Sequence, residues 1–414
     1  MAGTPMCRTL GLVLVAVASV GCRDPILASP AATPVAPPDS VPYEIVDLGT
    51  LGGLYADGRA INDRGQVMGM SYVADGAPRA FLWDGGVMHG YGPLDERFPA
   101  IPYAFNAIGE LAGLSWVTSQ YYHAVLWRDS TAQDLGTLGG PRSYANALNS
   151  RGQVVGSSGV GGTADSLHAF LWDSGGMRDL GTLGGSGSEA FDINEAGQVV
   201  GWSNVTSGAV HAFLWQAGAG AGAGAGAMQD LGTLGGAASS AFRINERGQV
   251  AGTSETAAGE THAFLWSAGV MQDMGTLGFS GSEAVALNQR GQVAGNLTRP
   301  YESHAFLWDS GVTTMLDDGL SSHETVVHDM NDQGQVVGRM KVEPQNGEDR
   351  FHAFLWEDGR LYDLGALGSE SQYANSSATA INARGDIVGT SGIHPVLWRR
   401  VTTPPTRQLA VTSR

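Results

Sequence analysis

The chain has 414 residues, of which 61 are glycine and only 15% are charged, against about 7% glycine and about a quarter charged in ordinary globular domains. That composition suits a turn-rich β protein with ample length for a core. Its 23 Lys and Arg stand against 40 Asp and Glu, a formal charge of −17, which excludes the basic footprint that a nucleic-acid partner requires.

In chain order, residues 1–21 read as a lipoprotein-type signal peptide. Met1 to Arg8 carries one positive charge, and the apolar run Leu10 to Val20 is too short to span a bilayer. The run ends Ser19-Val20-Gly21-Cys22, which resembles a bacterial lipobox and implies diacylation of Cys22. Arg23, where an inner-membrane retention signal would have Asp, favours the outer membrane; without the lipid, the chain is expected to be exported and free. Both cysteines, Cys7 and Cys22, lie here, so the body has neither a disulfide nor a cysteine metal site to offer. Residues 22–42 hold six prolines among Ala, Ser and Thr and form a tether, reaching about 60 Å at roughly 3.1 Å per residue.

From residue 43 to residue 398 the chain is repetitive. The Asn-x-x-Gly turn begins at Asn62, Asn106, Asn149, Asn194, Asn245, Asn288, Asn331 and Asn382, and a His-Ala-Phe-Leu-Trp element or its variant ends at eight tryptophans from Trp83 to Trp398. Each unit of about 44 residues reads as four short strands. Around the fourth unit, Glu189 to Asn194 forms the first strand, Gly197 to Gly201 the second, and His168 to Trp172 and Met177 to Leu183 form the third and fourth strands of the unit before it. Asn194 opens the hairpin turn and Gly197 closes it in the left-handed region. His168, Phe170 and Trp172 fall on one strand face, Ala169 and Leu171 on the other, so the strand needs cover on both sides. The expected fold is therefore all-β, an eight-bladed β-propeller of four-stranded blades; a β-solenoid and an open array of hairpins are the rivals. Asp47-Leu48-Gly49 precedes the first unit while the last unit lacks this element. Tyr43 to Gly49 is thus expected to close the ring as the outer strand of the last blade, followed by a C-terminal tail at 399–414.

These residues resemble the HAF family of extracellular repeat proteins, through His-Ala-Phe at 168–170, 211–213, 262–264, 304–306 and 352–354 and the recurring Asp-Leu-Gly-Thr-Leu-Gly-Gly. Arg79, Val125 and Pro395-Val396 depart from the motif. The resemblance implies an exported repeat protein and carries over no catalytic residue.

The repeat histidines 123, 168, 211, 262, 304, 352 and 394 invite a metal-ring reading. A structural pairing is stronger: if Trp172 pairs with Met177, Asp179 lies diagonal to His168 and supplies the partner that a buried imidazole needs. Gly-Thr-Leu-Gly-Gly precedes no helix, so it is a connection and not a phosphate loop. The Ala-Gly run from Ala217 to Ala227 is a loop insertion. Departures from the repeat are the candidate sites. Tyr103, Trp116, Tyr121 and Tyr122 in the second unit form either an aromatic platform or a repacked blade. Asp317, Asp318, His323, Glu324, His328 and Asp329 in the seventh have the chemistry for acid–base or metal work, although His323 and His328, five apart, fall on opposite faces of a continuous strand, and a solvated acidic edge is the expected reading. No cofactor and no catalytic constellation is expected. The functional expectation is a monomeric, membrane-tethered, non-catalytic scaffold at the cell envelope that binds a protein or glycan, touching the membrane only through its lipid, with a glycan-binding lectin or glycan-active enzyme as the alternative.

Overall fold

The computed structural model describes residues 43–161, 166–218, 226–319, 324–345, 348–368 and 375–401. The signal segment, Cys22 and the tether, most of the Ala-Gly insertion, His323 and the tail beyond residue 401 lie outside the described residues.

Among the described residues the chain is all-β. Thirty-two strands form seven sheets, six of four strands and one of eight. The eight-stranded sheet is two antiparallel four-stranded units joined by one parallel bridge, Thr261 to Gly281. The fourth unit is typical, with strands Gly184–Ile193, Val199–Val205, Val210–Ala217 and Gly226–Asp230 in sequential order.

Strand limits differ from the expected ones for local reasons. The fourth strand of the third unit ends at Asp179, not Leu183, because Asp179 Oδ1 accepts from Gly181 N at 2.7 Å and Gly181 takes φ +76°, a side-chain-closed turn that breaks the ladder. The next strand begins at once, at Gly184 instead of Glu189, and the second strand begins at Val199. Gly197 belongs to the turn, at φ +80°, with its N donating to Asn194 O at 3.0 Å. Gly201 is required by close approach: a Cβ there would sit 1.9 Å from Glu189 O. Across the third hairpin, Trp172 pairs with Met177 and Phe170 with Asp179.

The two faces of each third strand go to different neighbours. Ala169 and Leu171 pack with Ala190, Ile193, Val199, Phe213 and Trp215 of the following unit, and seven further clusters repeat this arrangement. In one of them Ala380, Val388 and Leu397 of the eighth unit pack with Ala56, Phe81 and Trp83 of the first. Each fully buried Phe stabilises by about 1.5–3 kcal/mol, so the apolar contacts between sheets carry the fold. The chain ends also meet: Tyr43–Asp47 pairs antiparallel with His394–Arg400, Ile45 opposite Trp398.

Candidate functional site

Two polar networks recur along the repeat, one between units and one within them. Each turn asparagine donates to its own unit and to the next: Asn194 Nδ2 reaches Gln198 Oε1 at 2.8 Å and Asn245 O at 3.1 Å. The same inter-unit bond runs from Asn62 to Asn106 and onward through every unit, and Asn382 donates to Asn62 O at 3.1 Å, returning the series to its start. The histidines form the second network. His168 Nδ1 lies 2.9 Å from Asp179, and His123, His211, His262, His304 and His352 have equivalent partners in their own units. His394 takes Asp47 from the opposite end of the chain at 2.8 Å. In the first unit Arg79, which replaces the histidine, pairs with Glu96 at 2.9 Å. Repetition, of the asparagine bonds in all eight units and of the His–Asp pair in seven, marks both networks as architecture.

The acidic group of the seventh unit does not assemble into one site. Asp317 is 6% exposed and no solvated edge; it bonds to His304 and Thr325 and accepts from Gly319 N at 2.9 Å. Asp318 follows it in the chain, and His323 lies outside the described residues. His328 sits on strand Thr325–Met330 with Nδ1 2.6 Å from Ala378 O, and burial pushes its pKa down. Among the described residues no three His, Cys, Asp or Glu side chains are grouped to hold a metal.

The aromatic group of the second unit is partly assembled. Trp116 and Tyr122 meet edge-on at 5.6 Å, Tyr122 lies 6.3 Å from Tyr144, and the Arg142 guanidinium stands 5.8 Å from the Tyr122 ring. Tyr103 and Tyr122, with Leu114, Tyr144 and Asn146, line a cavity of about 310 Å³. Tyr121 is 38% exposed in a turn and does not line it.

Tyr144 and Asn146 were not singled out by sequence reasoning, and they lead to a second cavity of about 340 Å³. Asn146, Phe191, Phe242, Arg243, Glu283, Ala284 and Val285 line it, all from the first strands of units three to six. Each first strand has a bulge two to four residues before its asparagine, as between Ala145 and Ala147, and a bulge re-aims its extra side chain. Where the residue three before the asparagine is polar, it can lock onto the next unit: Arg59 Nη1 to Pro102 O at 3.0 Å, Asn146 Nδ2 to Ala190 O at 2.9 Å, and Thr379 Oγ1 to Gly58 O at 2.8 Å. His328 meets Ala378 O in the same way. In units four to six the position holds Phe191, Phe242 and Val285, which have no donor to give, and these three side chains form the apolar wall of the cavity. The rings of Phe191 and Phe242 lie 5.6 Å apart. At the polar end, Tyr144 Oη donates to Glu189 at 2.9 Å, and burial together with that carboxylate pushes the phenol pKa up.

Two carboxylates occupy equivalent places on the first strands of units four and seven, each two residues before its turn asparagine. Asp192 accepts from Ile193 N and Ile244 N, and Asp329 from Met330 N and Ile381 N. Desolvation raises both pKa values, that of Asp329 to about 6, while Arg243 opposes the rise at both. Because the folded pKa of Asp329 exceeds its unfolded value, its contribution favours the fold at low pH and is lost as pH rises from about 4 to about 6. At about 1.36 kcal/mol per unit the loss is at most about 3 kcal/mol, less where water reaches the group. We expect the Asp329 carboxyl carbon to titrate near 6 by NMR, and the stability of the parent relative to Asp329→Asn to fall across that window. A midpoint near 4 refutes the assignment.

No family model matches the chain, and no curated protein matches it. Solved structures do. The β-propeller domain of the Trilobed protease from Pyrococcus furiosus aligns with 86% of this chain and 98% of its own, at 9% identity and a TM-score of 0.46. A puromycin-hydrolyzing peptidase of Mycobacterium tuberculosis aligns at 13% identity and a TM-score of 0.47, and the acylaminoacyl peptidase of Pyrococcus horikoshii at 11% and 0.45. The alignment covers 86% of this chain in both cases, but only 61% and 54% of those proteins. The expectation of a non-catalytic scaffold, with a glycan-directed alternative, is not borne out: the structures that resemble the chain include peptidases.

Proposed function

We propose that the eight units form a closed eight-bladed β-propeller whose inner wall, from Tyr103 to Val285, recognises peptide segments. One observation carries the reading. The third strands repeat with little change, whereas the residues five, three and two before the turn asparagine differ from unit to unit: Tyr144 and Asn146, then Glu189, Phe191 and Asp192, then Phe242 and Arg243, then Glu283 and Val285. The fold needs the repeated positions, and of the variable ones Tyr144, Asn146, Phe191, Phe242, Arg243, Glu283 and Val285 line the two cavities, which share Asn146. Phenyl and phenol rings, one amide and isolated charges of both signs complement a chain that presents apolar side chains between amide groups. The inter-unit asparagine bonds, the eighth-to-first core and the pairing of the chain ends support closure.

A peptide-display selection tests the recognition. We expect sequences enriched on the parent to bind Phe191→Ala/Phe242→Ala at least about tenfold more weakly, the loss of two buried aromatic contacts, while the thermal midpoint of that variant shows it folded. Failure to enrich any sequence overturns the proposal.

We propose as well, on the sequence alone, that the chain is an HAF-type protein exported and anchored through Cys22. Mass spectrometry of the mature protein is expected to find residue 22 first and carrying diacylglycerol, and Cys22→Ser to block that maturation. An unmodified terminus downstream of Cys22 refutes the anchor.

A further inference from the structure

The cavity between units three and six holds two opposite charges that do not meet. Arg243 and Glu283 line the same 340 Å³ space from neighbouring first strands, and both are exposed to it. Among the described residues neither forms an ion pair, and the hydrogen bond that Arg243 makes is from Nη1 to Phe242 O, on its own strand, at 2.9 Å. The carboxylates that face Arg243 are engaged elsewhere: Asp192 and Asp329 each accept two backbone N–H groups. The asparagine bond from Asn245 to Asn288 fixes the register of the two strands. Arg243 stands two residues before its asparagine and Glu283 five before its own. Three residues at about 3.3 Å each, shortened by the bulge, separate the charges by roughly 7–10 Å along the strands. Phe191 and Phe242 occupy the same cavity with ring centroids 5.6 Å apart.

We infer that this cavity receives a short zwitterionic peptide, its terminal carboxylate against Arg243, its terminal ammonium against Glu283, and an apolar side chain against Phe191 and Phe242. An extended chain spans at most about 3.3–3.6 Å per residue, so two or three residues match the separation of the charges. A single amino acid is too short to reach both, and a long peptide reaches one end only. Guanidinium and carboxylate are a bidentate match that an amide cannot supply. Arg243 and Glu283 are the charged side chains that line this cavity, so a ligand bringing one charge of each sign finds a complement for both, whereas a simple anion finds one and meets a carboxylate. The inference rests on the reading of the inner wall as a peptide site.

Isothermal titration calorimetry with Ala-Phe-Ala, its N-acetyl form and its C-terminal amide separates the two claims. On the parent, the free tripeptide is expected to bind about tenfold more tightly than either blocked form, the effect of losing one charged hydrogen-bonding partner. Arg243→Ala should weaken the free peptide and abolish the penalty of amidation while keeping that of acetylation. Glu283→Gln should do the reverse. Both side chains are exposed, so melting curves should match the parent. If blocked and free peptides bind the parent equally and Phe191→Ala weakens all three, recognition of the ends is overturned and the peptide site stands. If amidation still costs tenfold in Arg243→Ala, the carboxylate is not held there and the inference fails. Absence of binding by all three forms removes the inference, and the site reading falls only if display also enriches nothing.

Discussion

Removing Tyr43–Asp47 is expected to lower the stability of the whole repeat by about 4–6 kcal/mol, a large part of the 5–15 kcal/mol margin of ordinary domains. The strand supplies five residue pairings with His394–Arg400, and Tyr43, Ile45 and Val46 are half-buried against the last and first cores. Three side chains at about half of 1.5–3 kcal/mol each give about 3 kcal/mol. Trp398, 0% exposed with Ile45 opposite it, would then face water. His394 loses its Asp47 partner, Tyr43 Oη loses its 3.0 Å bond to Gly385 O, and an unpaired strand edge opens beside the first unit. Burial around Tyr43, which raises the phenol pKa to about 12, accords with a side chain fixed in the join. Differential scanning calorimetry should find the transition lowered by about 10 °C, whereas deletion of residues 23–42, which have no apolar pattern to bury, should leave it within about 1 °C. A deletion of Tyr43–Asp47 that melts like the parent would mean that the pairing of the ends contributes nothing to the stability of the repeat.

What the sequence made legible was whatever local pairing rules determine. The Trp172–Met177 register follows from a two-residue hairpin, and once it is set the approach of His168 to Asp179 follows from the diagonal geometry of an antiparallel pair. The same rule explains a misreading. In the sixth unit the residue seven after Trp308 is Met315, and the carboxylate comes two places later as Asp317. Asp317 therefore looked like a spare acid of the seventh unit, when it is the partner of His304. The cavity lining was hidden for a different reason. Phe191, Phe242 and Val285 read as ordinary strand residues, and strict alternation assigns their side chains to a sheet face. The bulge beside each of them brings them to the cavity, and a bulge with no glycine of its own leaves little trace in a single sequence. A usable signal was present: with the units aligned on their asparagines, the positions five, three and two before the turn are the ones that change character.

Substitution at Asn194 is expected to show how strongly the units depend on one another. Its Nδ2 bonds Gln198 Oε1 and Asn245 O, and its Oδ1 accepts from Gln198 N at 3.0 Å. Asn194→Asp keeps the shape and the accepted bond but replaces both donors with a carboxylate oxygen facing two acceptors. The Gln198 amide can turn and present its NH₂ group, although that gives up its 3.2 Å bond to Gln216; the Asn245 carbonyl cannot turn. One buried acceptor is left opposite a charge, which costs about 3 kcal/mol at pH 7 and exceeds the roughly 2 kcal/mol of Asn194→Ala, where the acceptors merely lose a partner. The new carboxyl, disfavoured when ionised, has a folded pKa above its unfolded value. Its deficit is therefore smallest near pH 4, grows as pH rises through the folded pKa, and then levels off. Urea denaturation of the parent and both variants at pH 4 and pH 7 checks the order and the trend. Asn194→Asp within about 0.5 kcal/mol of the parent at pH 7 would remove the asparagine series from the forces holding the units in register. Because Asn194 and Asn245 share a bond while Asn194 and Asn382 share none, Asn194→Ala with Asn245→Ala should depart from additivity by more than about 0.5 kcal/mol, and Asn194→Ala with Asn382→Ala should add.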